Sequence, residues 1–519
     1  MTVYSLSPIN TELIVCILSY CQVKLNIDNK IQLYDNAIIM DKDKYLKYLF
    51  SERRQKMNEI QHKAERKAFE IVLKKIVRKG KNESASQMAE SILKIMKGIL
   101  GDSWKESSYA VFQEIADNPD SKWARYVDRL ISEADPDIIT TFLTNAAYEG
   151  GFRGYKTTEE MAEKYDCNVP WLILMDPTSA CNLHCIGCWA AEYGYKQNLS
   201  FEVMDRTISE AKELGTHAVL FTGGEPLVRK KDIIRLCEKH PDVAFHAFTN
   251  GTLIDKQFCE DLLRVKNFMV SVSVEGFEES TDSRRGQGTY AKVIKAMDLM
   301  HSYRIPYGLS ICYTANNYKD VTSDEFLDMV IEKGCYFAWY FHYMPVGMNS
   351  GPELLLNPEQ RMYVLNRIRE IRGMEGGKEI FAIDFQNDGE FVTGCVAGGK
   401  RYLHINAAGD VEPCVFIHYS SANINEKSFM ECLQQPLFKA YRKNMPFNDN
   451  YLRPCPMLEN PQFIREMVNS TGAKSTDLEA PESVEHLTEK TEAYAEAWKP
   501  YAEKYWNEHY PSGHREDYD

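Results

Sequence analysis

From about residue 170 onward, short apolar runs alternate with amphipathic stretches of helical period. The runs WLILM (171–175), HAVLFTGG (217–224), VAFHAFTNG (243–251), FMVSVSVEG (268–276), YGLSICYTA (307–315) and YFAWYFHYMPVG (336–347) have the length and β-branched or aromatic character of buried strands. Between them lie FEVMDRTISEAKELG, KKDIIRLCEKHP, KQFCEDLLRVK, YAKVIKAMDLMHSYR and SDEFLDMVIEKG, with apolar residues three and four apart. Strand alternating with helix predicts parallel strands joined by right-handed crossovers. Six such units are too few for a closed eightfold barrel, so the expected fold is α/β, an open or partial (β/α)6 barrel. In such an architecture the chemistry belongs to loops at the C-terminal strand ends.

The flanking segments read differently. Residues 1–85 look like an N-terminal extension. There a few possible strands precede a charged stretch, 51–81, expected to be a solvated helix. A contact of that helix with an anionic membrane or RNA is the alternative. Residues 86–165 read as helices, with ESILKIMKGIL and YVDRLISEADPDIITTFLTNAA as their apolar-periodic parts and Asp102, Ser103 and Asp135 to Asp137 as caps. The barrel is expected over 166–384. Residues 385–465 are turn-rich, with a hairpin-like RYLHINAAGDVEPCVF, and form a small α+β unit. The tail, 466–519, is acidic and helical; Tyr494, Trp498, Tyr501 and Tyr505 share one face, read as packing onto the body.

Composition narrows the function classes. The 519 residues carry a net charge of −14 with 26% charged positions, which disfavours a DNA or RNA partner. The apolar run Leu13 to Leu18 is about half what spans a bilayer, and no Lys or Arg precedes Lys24. No transmembrane segment or signal peptide is therefore expected, and the reading is cytoplasmic. Fourteen cysteines in a reducing compartment are core residues, reactive groups or metal ligands, not a disulfide framework.

CNLHCIGCW, residues 181–189, holds three of them at Cys-x3-Cys-x2-Cys. Cys237, Cys259, Cys312 and Cys335 sit inside helix or strand patterns and read as small buried hydrophobes. Cys181, Cys185 and Cys188 instead fall in a loop just after a predicted strand. A structural zinc site usually takes four protein ligands. A four-iron cluster held by three cysteines leaves one iron free for another ligand.

On this loop the sequence resembles the radical S-adenosylmethionine (SAM) superfamily. The resemblance implies a [4Fe-4S] cluster on Cys181, Cys185 and Cys188 whose open iron chelates SAM. Reductive cleavage would yield methionine and a 5′-deoxyadenosyl radical that abstracts hydrogen from a substrate. An electron donor such as flavodoxin or ferredoxin is implied. Relatives often carry an aromatic residue before the third cysteine; here Gly187 stands there and Trp189 follows. The other strand ends extend the resemblance. In TGGEP (222–226), Gly223 and Gly224 permit close backbone approach to a ligand, and Glu225 is an acceptor for the SAM amino group. Asn250 ends the third strand, where a polar SAM-facing group is implied. In SVSVEG, Ser271, Ser273 and Glu275 share one face, and the resemblance gives Ser273 and Glu275 the ribose hydroxyls. Arg285 of DSRRGQG matches an arginine near the SAM carboxylate, and YMPVG a segment flanking adenine.

Further on, CVAGGKRYLHINAAGDVEPC sets Cys395 and Cys414 around Gly409. It is similar to the opening of the SPASM domain, which holds auxiliary clusters. Only Cys455, in RPCPMLENP, follows outside the helical patterns, so the domain resembles the shorter Twitch form. The implied ligands of one auxiliary iron–sulfur cluster are Cys395, Cys414 and Cys455, while Cys432 packs in a helix. The function so implied is an oxygen-sensitive radical SAM enzyme acting on an unknown substrate. That substrate is a peptide or protein in maturation, or else a small molecule, lipid or cofactor. A non-catalytic iron–sulfur or zinc protein is the alternative class.

Overall fold

The computed structural model describes residues 61–78, 83–90, 93, 110–194, 196–373 and 377–510. The run 13–18, the strands expected ahead of residue 51 and nearly all of the helix expected over 90–100 lie outside the described residues.

Six parallel strands pair in sequence order: β1 (Leu172–Met175), β2 (Ala218–Phe221), β3 (Ala244–Thr249), β4 (Phe268–Ser273), β5 (Tyr307–Tyr313) and β6 (Cys335–His342). The helices between them start where the sequence supplies caps. Ser200, Asp255 and Ser323 accept hydrogen bonds from the amides of Val203, Phe258 and Phe326. Side-chain alternation then divides the sheet. Ile173, Val219, Phe245, Val270, Leu309 and Ala338 face the helices and are almost wholly buried. Burial of each larger one contributes about 1.5–3 kcal/mol.

The other face lines the barrel. On β6, Phe337, Trp339 and Phe341 are half-buried between buried neighbours. Phe248 of β3 comes within 6.0 Å of Trp339 and 5.4 Å of Phe341, ring centre to ring centre. β4 and β5 separate β3 from β6 in the sheet, so these rings meet across the lumen of a curved, open barrel.

The sheet is larger than the six expected strands. β7 (Phe381–Asp384) adds parallel to β6. β8 (Tyr402–Ile405) adds parallel to β1, and β9 (Val411–Glu412) folds back antiparallel on β8. The hairpin expected in the C-terminal unit therefore exists, but it continues the barrel sheet. Its turn uses Gly409 at φ +94.

The helix over 61–78 departs from the solvated expectation. Phe69, Leu73 and Val77 are buried against Ala134, Ile139, Ala147, Tyr148 and Tyr336. His62 and Arg66 close on the buried carboxylate of Glu149 at 2.9 and 2.8 Å. Apolar spacing of four residues, hidden among charges, makes this a docked amphipathic helix. In the C-terminal helix Val484–His509, Tyr494 and Trp498 are buried and Tyr501 and Tyr505 partly so, as expected for packing. Among the described residues no helix is long and apolar enough to cross a membrane.

Candidate functional site

The cysteine loop leaves the C-terminal end of β1 and is held by the end of β2. Thr222 donates to Asp176 (2.7 Å), and the amides of Gly224 and Glu225 donate to the carbonyls of Thr178 (3.0 Å) and Ala180 (2.8 Å). A Cβ at Gly224 would stand 2.3 Å from the Ala180 carbonyl oxygen, and one at Gly223, itself at φ +102, 2.5 Å from that of Thr178. The close approach expected toward a ligand is thus, within the chain, an approach to the cysteine loop itself.

The polar residues at neighbouring strand ends are strongly engaged. Glu225 is fully buried; its carboxylate accepts from Thr249 Oγ1 (2.6 Å) and from the amides of Asn250 (2.8 Å) and Leu227 (3.0 Å). Burial pushes its pKa up against those bonds. Asn250 donates to Asn182 Oδ1 (2.8 Å), tying the end of β3 to the residue after Cys181. Glu275 is also buried. One oxygen takes Arg284 Nη1 (2.7 Å) and Arg285 Nε (2.8 Å), and the other the Cys312 amide (3.1 Å). Glu275 and Arg285, expected on the ribose and the carboxylate, are therefore bonded to each other. Ser273 lies buried beside them on β4.

Two residues at this site, Arg284 and Tyr343, were not singled out by the sequence, and a third, Cys312, read there as a small buried hydrophobe, is half-buried among its charged groups. Arg284 reaches from Glu275 to the Gly187 carbonyl (3.4 Å), and its own carbonyl takes the Ile186 amide (2.9 Å). Burial opposes its charge, but Cys312, Glu275, Cys185 and Cys188 outweigh that and raise its pKa. Cys312 faces the same point from β5: burial lifts its thiol to about 11, against the pull of Arg284. Tyr343, just past β6, supplies the ring missing before the third cysteine. A Cβ at Gly187, φ +65, would lie 2.6 Å from the Tyr343 ring.

The loop suits a multi-iron group. Cys181, Cys185 and Cys188 lie within electrostatic range of one another. Among the described residues, however, no three His, Cys, Asp or Glu side chains converge as one metal ion requires. A four-iron cube holds its thiolates farther apart than a single ion does. Burial raises Cys188 and lifts Cys181 to about 11, so these two thiols give up their protons readily only beside a strong positive charge, which iron would supply.

The C-terminal cysteines share a second pocket. Cys395, Cys414 and Cys455 line one cavity of about 60 Å³, with Gln386, Tyr402, Tyr441 and Glu459 among its walls. Peptide amides already point at the sulfurs: Phe416 at Cys414 (3.5 Å), Met457 and Leu458 at Cys455 (3.4 Å each). Burial pushes Cys395 and Cys414 to about 12. Cys432 is buried in the barrel core, away from this cavity.

Between the two cysteine sets lies a charged network. His404 of β8 stands 3.0 Å from Asp176 and 2.6 Å from Glu412. Glu412 also takes the Tyr193 hydroxyl (2.7 Å) and Asn406 Nδ2 (3.0 Å). Trp189, adjacent to Cys188, sits edge-on to Tyr193, His404 and His418. His418 in turn bonds Asp477 at 2.7 Å. Every charged member is buried.

Comparison with known proteins matches residues 175–330 to the radical SAM superfamily and 395–457 to an iron–sulfur cluster-binding domain, SPASM. An uncharacterised protein of Archaeoglobus fulgidus is 30% identical over 248 residues, 46% of this chain and 56% of its own length. The Fe-coproporphyrin III synthase of Methanosarcina barkeri is 26% identical over 43% of this chain and 57% of its own. The chain thus spans little more than half the length of these two relatives. The AdoMet-dependent heme synthase of the same organism is 24% identical over 51% of this chain and 82% of its own. The crystal structure of Streptococcus suis SuiB bound to precursor peptide SuiA aligns with 70% of this chain and 92% of its own, at 18% identity and a TM-score of 0.49. With its cysteine loop on β1 and its second cysteine pocket beside β8, the chain carries a radical SAM domain over residues 175–330 and a SPASM iron–sulfur cluster-binding domain over residues 395–457.

Proposed function

We propose that this chain is an enzyme that reductively cleaves SAM at a [4Fe-4S] cluster on Cys181, Cys185 and Cys188, so that the resulting 5′-deoxyadenosyl radical abstracts hydrogen from a substrate. The observation that carries the reading is the placement of those three cysteines on one loop at the end of β1, within electrostatic range of one another, with Arg284 close to Cys185 and Cys188. The cluster and SAM supply the redox chemistry; the protein supplies orientation and exclusion of water. Gly223 and Gly224 press the loop onto the end of β2, and Glu225 and Asn250 brace it. Arg284 and Arg285 bring positive charge to a site that gathers thiolates and a carboxylate. Glu225 keeps lone-pair capacity beyond its three bonds for the SAM ammonium group. Ser273 is the proposed partner of the ribose. Cys395, Cys414 and Cys455 hold an auxiliary iron–sulfur cluster. The reductant is a flavodoxin- or ferredoxin-type donor, and the compartment the cytoplasm.

Anaerobic reconstitution with iron, sulfide and reductant should give 5′-deoxyadenosine from SAM, and Cys188→Ala should abolish it. An iron-loaded wild type that forms none would overturn the reading.

One observation bears on the substrate. The lumen wall is aromatic: Phe248, Trp339, Phe341 and Phe385 stand in contact, with Trp339 and Phe341 6.2 Å apart and 6° from parallel. Such a wall suits a flat aromatic ring system better than an extended peptide. Two of the relatives above are named for porphyrin chemistry. Iron coproporphyrin III added to the anaerobic protein should undergo a Soret shift that Trp339→Ala weakens. Peptide maturation becomes the better reading if the shift is absent.

A further inference from the structure

The cavity of Cys395, Cys414 and Cys455 has a polar wall side chain that the described residues leave unpartnered. Tyr441, on the helix Pro436–Asn444, is fully buried, and its hydroxyl has no hydrogen-bond partner among the described residues. Its ring is fixed. The loop after Cys395 lies so close that a Cβ at Gly398, φ +61, would fall 2.7 Å from Tyr441 Cβ. Phe447 packs edge-on, at 5.4 Å and 89°. The remaining polar walls are engaged. Tyr402 Oη bonds Cys414 Sγ (2.7 Å), and Gln386 Oε1 takes the His342 amide (2.9 Å). Glu459 takes the Cys455 amide (2.8 Å) and pairs with Arg361 (2.7 Å).

A buried hydroxyl without a partner forfeits its hydration and is costly to keep. Such groups in folded proteins call for a specific explanation. Tyr441 lines the same cavity as all three cysteines, yet its hydroxyl bonds none of them.

We propose that the Tyr441 hydroxyl donates a hydrogen bond to the auxiliary iron–sulfur cluster and thereby raises its reduction potential. The inference rests on the reading of Cys395, Cys414 and Cys455 as cluster ligands. A donor to cluster sulfur stabilises the extra negative charge of the reduced state, which makes reduction easier. Tyr441 acts on the potential through this bond and is a tuning residue, with no role in the bond-breaking step.

The test uses the full chain with Cys181, Cys185 and Cys188 all replaced by Ala, so that the auxiliary cluster is the sole iron centre. If this protein binds no iron, the cluster reading falls and takes the proposal with it. If it binds iron, adding Tyr441→Phe should keep iron and sulfide content. It should also shift the equilibrium about tenfold toward the oxidised form at fixed potential, about 59 mV for one electron, read by EPR-monitored titration. Site-specific 3-fluorotyrosine at position 441, a stronger donor, should shift it the other way, and it keeps the ring should the phenylalanine variant misfold. An unmoved potential in both overturns the proposal. So does loss of one iron with a three-iron EPR signal in Tyr441→Phe, which would make the oxygen a ligand instead.

Discussion

A single carbon atom tests the junction of the first two strands. Gly224→Ala puts its methyl 2.3 Å from the Ala180 carbonyl oxygen, backbone against backbone, with no flexible side chain to yield. The variant should lose about 1–3 kcal/mol in urea unfolding and retain less iron on reconstitution, because the strain falls on the residue preceding Cys181. His404 offers a second test at this scale. Burial alone would strip its proton; Asp176 and Glu412 overrule that and raise its pKa to about 10. A pKa raised on folding means stability that is fully present below the ordinary histidine value, near 6.5, and lost as pH rises through about 10. Tyr193, His418 and Asp477 also face this group. Relative to His404→Gln, the wild type should therefore lose stability between about pH 7 and pH 10 in denaturant titrations; parallel curves would show that the imidazolium contributes nothing.

Elements meet at the site through residues far apart in sequence, which decides what could be read beforehand. The six strands and their helices were legible because each period is local. So were Cys181, Cys185 and Cys188, whose spacing lies within one loop. Arg284, Tyr343, His404 and Tyr441 carried no such signal, because Arg284 and Tyr343 meet Gly187, and His404 meets Asp176, only through the fold, while Tyr441 takes its meaning from a cavity wall. The partnership of Glu275 with Arg285 was hidden for a related reason: both were matched separately to a ligand, and only the fold shows them bonded together. The same logic applies to Arg361, on the helix Pro358–Arg372, and Glu459, both fully buried and paired at 2.7 Å. Arg361→Leu strands a buried carboxylate and should cost about 3–5 kcal/mol. Because Glu459 also holds the Cys455 amide, that variant should lose auxiliary iron as well. Adding Glu459→Gln should restore part of the stability, which a urea series on the two proteins would measure.

On the scale of the whole molecule, one nine-stranded sheet carries both cysteine sets, with β8 hydrogen-bonded along the flank of β1. A chain cut after residue 384 would lay that flank bare. Leu172 to Met175 would then present a row of unsatisfied amides and carbonyls, apolar side chains and no charge among them. Such a shortened protein should self-associate, running as oligomers or precipitate in sedimentation where the full chain does not. The C-terminal region thus serves the barrel as a sealing strip, and its partner at that seam is the strand from which the loop of Cys181, Cys185 and Cys188 departs.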